Sequence, residues 1–319
     1  EKPLGLTVRA CLKIIEAAKR NNRVLVIQEN HRRDPLNRMV KHILDQKVLG
    51  SPRLIHFASL EGTKQIAHGT AWRQLKNRGG YLLDFGVHET DLFCYFMGDV
   101  ASVFGETELW ETQRSTESDA GWVLSQYYSH RTKENIEQEE FVDCTSEDMC
   151  LGLIRFRSGA IGYYGRSLAA PGSRTNSDVI YCDEGSIELP GSRSGNSALI
   201  TMNGASNPLS ESELIGMIPE FQLDDLTASF FGDERRLLSY EYEMPAVDRK
   251  FIAMGLMDFS NALLNGTTPE VGAKEGLDAV ALVYAILESG HIGQRVQFED
   301  VALDRVNDYQ FEVNTSAGL

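Results

Sequence analysis

Apolar positions recur at helical spacing twice within the first fifty residues. In LTVRACLKIIEAAKRNN, Val8, Leu12, Ile15 and Ala18 share a face, and Asn21-Asn22 supplies a stop. In RDPLNRMVKHILDQKVLG, Leu36, Met39, Val40, Ile43 and Leu44 form the stripe. Asp34 stands there as N-cap, Pro35 at the first helical position and Gly50 just past the end. Between the two helices RVLVIQ is a short, continuously apolar run, as a buried parallel strand requires. Residues 1–30 therefore read as a strand end, a helix and a strand, the tail of a doubly wound sheet.

After residue 50 the period changes. PRLIHFASL, SVFGETELW, GWVLSQYYS, MCLGLIRF, AIGYYGRSL, DVIYCD and SIELP read as strands, with RSG (157–159) and DEG (183–185) as hairpin turns. GSRSGNSALITMNGASNPLSESE is rich in turn formers and reads as a long surface excursion. Two helices, DRKFIAMGLMDFSNALLNG and AKEGLDAVALVYAILESG, and a short strand, QRVQFE, close the chain. The predicted fold class is α/β with an α+β C-terminal part. A truncated α/β unit (1–30) precedes a large, mostly antiparallel open sheet with helices on one face (31–319).

One helix breaks the simple pattern. LLDFGVHETD lies inside an almost wholly apolar segment that continues into LFCYFM, yet it carries Asp84, His88 and Asp91. At ~100° per residue these fall at roughly 0°, 40° and −20°, one narrow arc. Buried charge is expensive unless paired, so the arc demands a polar partner. That partner is either a structural hydrogen-bond network or a catalytic cleft with His88 near neutral pH and Asp84 tuning it. An Asp and a His one turn apart also suit a metal, but no further ligands can be placed, so no metal site is assigned. Gly79-Gly80 ahead of the helix permits a close backbone approach or an unusual dihedral.

Charge narrows the function classes. The 319 residues carry 46 acidic against 31 basic side chains, a net charge of -15, which disfavours nucleic acid and anionic lipid as partners. No apolar run approaches the ~20 residues of a membrane span. The five cysteines form no C-x-x-C pair, and reduced thiols in a cytoplasmic protein are expected. The N-x-[ST] matches at Asn265 and Asn314 are read as chance.

The opening EKP and the segment GGYLLDFGVHETDLFCYFMG together resemble two signature motifs of the glucose–fructose oxidoreductase / inositol dehydrogenase / MocA (Gfo/Idh/MocA) family. Gly79, Gly80, Asp84, Gly86, His88, Asp91 and Gly98 carry the second match, with Arg78 and Tyr81 flanking the glycine pair where a third glycine is common. HRRDPLNRMVKHILDQKVLGSPRLIHF and EVGAKEGLDAVALVYAILESGHIGQRVQF are similar to further family segments. The resemblance implies a Rossmann domain, here only its C-terminal remnant (1–30), and a substrate and oligomerisation domain (31–319).

By the same resemblance Lys2, Asp84 and His88 are catalytic, with Lys2 orienting the substrate hydroxyl and His88 taking its proton. Glu1, Lys2, Pro3, Gln28, Trp72 and Arg73 would meet NAD or NADP, and Pro3 would follow a cis bond. Arg33, Asp84, His88 and Asp91 would line the substrate pocket. The implied activity is hydride transfer between a nicotinamide cofactor and a secondary alcohol of a sugar, polyol or glycoside, in a homo-oligomer joined through the open sheet. A glycosidase that oxidises its substrate transiently, and a non-catalytic binding subunit, are the alternatives. The glycine-rich G-x-G-x-x-[GA] turn that would hold pyrophosphate is missing from these 319 residues. Truncation of a longer gene product is the expectation, a partner chain carrying the nucleotide half the other option.

Overall fold

The computed structural model describes residues 1–66, 70–116 and 140–319. Helix α1 (Val8–Arg20) starts at Thr7, whose hydroxyl accepts the Ala10 N–H. Helix α2 (Pro35–Asp45) starts at Asp34, which accepts the Leu36 N–H, with Pro35 leading the first turn as predicted. The helix stops at Asp45, and Gly50 instead serves a following turn at φ 76°.

Among the described residues the sheet has eight strands: β1 (Pro52–Leu60), β2 (Val100–Glu108), β5 (Met149–Phe156), β6 (Ile161–Ser167), β7 (Thr175–Cys182), β8 (Gly185–Glu188), β9 (Leu199–Met202) and β10 (Val296–Gln297). Their order is β10-β2-β5-β6-β1-β7-β8-β9, and only the β1–β6 pair is parallel. β3 (Gln113–Ser115) and β4 (Phe141–Asp143) form a separate small ladder. The hairpins at 157–159 and 183–185 join β5 to β6 and β7 to β8 as the turn signals predicted.

One face of the sheet carries the helices. α3 (Gly80–Met97) and α7 (Ala273–Ile292) pack there, and α7 is buried from Ala279 to Ser289. Along β5, Cys150, Gly152, Ile154 and Phe156 turn inward against them, while Leu153 faces out and is exposed. Gly105 on β2 is needed for that closeness, since an added Cβ would sit 2.2 Å from the Ile286 carbonyl oxygen. The open face displays Leu153, Ile161, Tyr181 and Leu199, with His56 and Tyr163 stacked between them at 5.0 Å.

Four expectations need correction. RVLVIQ is extended but forms no strand: it has no neighbouring edge among the described residues, and Ile27 instead donates its N–H to the Val271 carbonyl at 3.0 Å. QRVQFE contributes only two strand residues before turning into α8 (Phe298–Ala302). The excursion at 191–213 is not all surface, because β9 closes the sheet there and buries Ile200. Short helices α4 (Glu211–Met217), α5 (Asp225–Phe230) and α9 (Asp308–Ser316) escaped the pattern, whereas the long α6 (Met244–Asn265) was legible. GWVLSQYYS and residues 134–139 of the acidic run ENIEQEEFVD lie outside the described residues. Among those described, no helix is long and apolar enough to cross a membrane.

Candidate active site

The polar arc of α3 has its partner, and it is the N-terminal thirty-odd residues. Gly79 and Gly80 begin the helix at φ 94° and 69°, left-handed values that glycine adopts freely. A Cβ on Gly80 would fall 1.9 Å from Ser146 Oγ, so the pair meets both demands the sequence raised. Asp84 then emerges one turn into the helix, where two cations converge on it.

Lys2 donates from Nζ to Asp84 Oδ1 at 2.9 Å and to the Asp84 carbonyl oxygen, and Arg73 donates from Nε to Oδ2 at 2.7 Å. Burial opposes the Asp84 charge, but Lys2 and Arg73 outweigh it and hold the carboxyl below its usual range. An ammonium has three donors, so these contacts leave Lys2 one for a ligand. The Lys2–Pro3 bond is cis. Arg73 also donates to Thr70 Oγ1 at 2.6 Å and lies 4.6 Å over the Trp72 ring, which is 39% exposed.

His88, one turn beyond Asp84, is held by residues that the motif reading missed. Its Nδ1 lies 2.6 Å from Glu29 Oε2, and Glu29 is fully buried. The His31 ring stacks on the His88 ring at 4.3 Å and 15°, and its own Nε2 lies 3.2 Å from Ser192 Oγ. Burial pushes the Glu29 carboxyl up to about 8, against the pull of the Lys2 and Arg32 charges. Burial also keeps both imidazoles well below their ordinary value; for His88 the Lys2 charge adds to this, for His31 the His88 ring does. The His88 side chain stays 14% exposed against 1% for Glu29. It is the member of this pair that faces outward.

The structure thus connects Lys2, Asp84, Arg73 and Trp72 in one group, with Glu1 exposed at its margin, and sets His88 one helical turn away, within reach of the Lys2 and Asp84 charges. It does not bring the others. Asp91 sits on the predicted arc, but both its oxygens are taken by Arg32, with Nε at 2.8 Å, in a buried pair. Arg33 is fully buried and its guanidinium is held by Asp258 at 2.9 Å and Glu270 at 3.0 Å. Gln28 donates to the Phe251 carbonyl at 3.0 Å and packs under Gly255 of α6. For all three the polar group is spent on internal packing, which removes them from the cleft. A signal for Glu29 was present, since it follows directly on the apolar run RVLVIQ, and strand ends gather ligand groups in doubly wound folds.

The site thus stands at the start of α3, one of the two buried helices that back an open, mostly antiparallel sheet. Residues 37–188 match the family model described as the GFO/IDH/MocA C-terminal domain. That match takes in just under half of the chain, and in this segment the chain is similar to the Gfo/Idh/MocA family. It is 30% identical over 129 residues (39% of this chain, 40% of the relative) to Oxidoreductase P35 of Formosa agariphila. It is 27% identical over 167 residues (51% of this chain, 40% of the relative) to levoglucosan dehydrogenase of Pseudarthrobacter phenanthrenivorans. A solved levoglucosan dehydrogenase in complex with NADH and L-sorbose shares the fold with a TM-score of 0.69 at 19% identity, covering 94% of this chain and 73% of that one. The chain spans about 40% of the length of the curated relatives it matches.

Proposed function

We propose that the full-length protein is an NAD(P)-dependent oxidoreductase that transfers hydride between nicotinamide and a secondary alcohol of a sugar, polyol or glycoside. The observation that carries this reading is the convergence at the start of α3. There a cation with a spare donor (Lys2) is held by Asp84, and its charge acts on the imidazole one turn further on (His88), whose Nδ1 is fixed by the buried Glu29. The likeness to sugar dehydrogenases supports it. On this reading residues 1–30 are the end of the dinucleotide-binding domain and 31–319 the substrate domain.

The donor set suits a nicotinamide partner because it supplies proton chemistry only. The described residues offer acid, base and cation, and the five cysteines are free thiols, Cys11 and Cys144 with pKa values raised by burial to about 12 and about 11. Glu1, Lys2, Pro3, Trp72 and Arg73 are the residues of this chain that would meet the nicotinamide end. When bound, that ring accepts the hydride. Lys2 holds the substrate oxygen with its remaining N–H, and Asp84 fixes Lys2. His88 Nε2 takes the O–H proton as the carbon–hydrogen bond breaks, so the alcohol becomes a carbonyl and the proton leaves on the imidazole.

The test is reduction of NAD⁺ and NADP⁺ by a panel of sugars and polyols, followed at the nicotinamide absorbance, with the full-length protein. Lys2→Ala and His88→Ala should each lower turnover by about 10²–10⁴-fold with the fold retained in circular dichroism. Wild-type rates in both variants would refute the reading. We also infer self-association through the open sheet face, supported by its exposed Leu153, Ile161, Tyr181 and Leu199.

A further inference from the structure

A cavity of about 210 Å³ lies between α3 and strands β1, β6 and β7. It is somewhat below the roughly 300–1,000 Å³ of drug-sized sites, so it admits one small molecule. His31 forms part of its wall, which places it one stacked ring, 4.3 Å, from His88. Its remaining polar lining is Glu89, Arg166, Asp178, Asn176, Ser59, Asn37 and Ser192, around the aromatic ring of Phe57.

These groups are not equally occupied. Both Glu89 oxygens are engaged, Oε2 receiving the Tyr164 hydroxyl at 2.6 Å and Oε1 receiving Arg166. Arg166 gives Nε and Nη2 to the Tyr81 hydroxyl at 3.0 and 2.6 Å and Nη1 to Glu89, which leaves two of its five N–H groups unused. Asp178 Oδ1 is buried with no hydrogen-bond partner at all. An unsatisfied buried acceptor costs about 1–3 kcal/mol, so a native protein carries one for a reason. Burial and the nearby Glu89 push the Asp178 carboxyl up to about 7, against Arg166.

A bare acceptor, spare guanidinium donors, an amide and a hydroxyl beside an aromatic ring match a compact molecule with hydroxyls on adjacent carbons. We propose that this cavity is the specificity pocket for the polyol carbons remote from the reacting one, with Asp178 accepting hydroxyl hydrogens there. The proposal deepens the dehydrogenase reading and rests on it for the position of the reacting carbon. Asp178 is a specificity-determining residue on this view, and Lys2 and His88 do the chemistry.

The experiment compares wild type with Asp178→Asn, which keeps the shape, and with Asn176→Ala at the exposed rim, whose folding is not in question. Probes are six-carbon sugars and cyclitols, their monodeoxy analogues, and glycerol. Loss of a charge-assisted hydrogen bond raises KM by about 10–100-fold for six-carbon probes, with kcat within threefold and glycerol unaffected. Asn176→Ala should shift KM in the same direction by less. Equal KM values for every probe in wild type and Asp178→Asn would overturn the assignment.

Saturation-transfer NMR on the same proteins separates the two readings. If no probe is oxidised with either cofactor, the dehydrogenase reading fails, yet binding of six-carbon probes that Asp178→Asn weakens still supports the pocket. Absence of such binding, or binding indifferent to Asp178→Asn, overturns the pocket whatever the turnover data say.

Discussion

Glu29→Gln is the sharpest perturbation of the proposed mechanism. In the wild type the 2.6 Å contact between Glu29 and His88 Nδ1 holds one proton in either of two ways. While Glu29 keeps its proton, it donates to Nδ1, the imidazole carries its hydrogen on Nε2, and Nε2 is no base. Once Glu29 ionises, it accepts from Nδ1–H and leaves the Nε2 lone pair free. Burial places that change at about pH 8; Lys2 and Arg32 lower it while Glu1 and Asp84 raise it.

The rate of alcohol oxidation should therefore rise with pH and level off above about 8. At about pH 6.5 roughly one molecule in thirty is in the base form, so kcat/KM is about thirtyfold below its plateau. Glutamine cannot ionise, so this limb should vanish, and the plateau should fall about 10–100-fold for the lost charge-assisted bond. The assay is a kcat/KM profile from pH 5.5 to 10 for both proteins. A limb near pH 8 that survives in Glu29→Gln would refute the argument. Stability gives an independent sign. The folded protein keeps this proton to about pH 8 and the unfolded chain releases it near 4.5. Wild-type stability therefore falls as pH rises through that window, and the variant should lack that share of the fall.

Two further outcomes concern the frame around the site. Asp91→Asn strips the partner from Arg32, whose side chain is only 7% exposed, and should cost about 3–5 kcal/mol in urea unfolding; a loss below about 1 kcal/mol would contradict the buried ion pair. Leu153→Asp places a charge at the centre of the exposed apolar face and should shift the protein to a smaller species in sedimentation while the melting temperature holds. An unchanged sedimentation coefficient would remove the sheet face as the association surface.

Much of the architecture was legible in local pattern. MCLGLIRF and AIGYYGRSL were legible as strands joined by a tight RSG turn, since extended apolar runs broken by turn formers are a local signal. The failures share a cause. RVLVIQ has strand composition, yet a strand exists only beside another edge, and none lies there among the described residues. SALITM was hidden by its turn-rich flanks although it completes the sheet as β9.

At the site the division is similar. The sequence by itself determined that α3 is a buried helix with one ionisable arc, that the glycine pair before it permits an unusual dihedral or close approach, and that Asp84 and His88 lie a turn apart. Those are consequences of helical periodicity and of glycine's dihedral range, both local. Which charges answer the arc was decided only by tertiary structure. Asp84, His88 and Asp91 are equivalent by angle, yet folding gives the first to Lys2 and Arg73, the second to Glu29 and His31, and the third to Arg32. Only the first two groups keep any opening to the outside. A buried charge takes whichever counter-charge the chain brings within about 3 Å, and contacts such as those of Glu29, Arg32 and Lys2, 59, 59 and 82 residues from their partners, leave no trace in a periodic pattern.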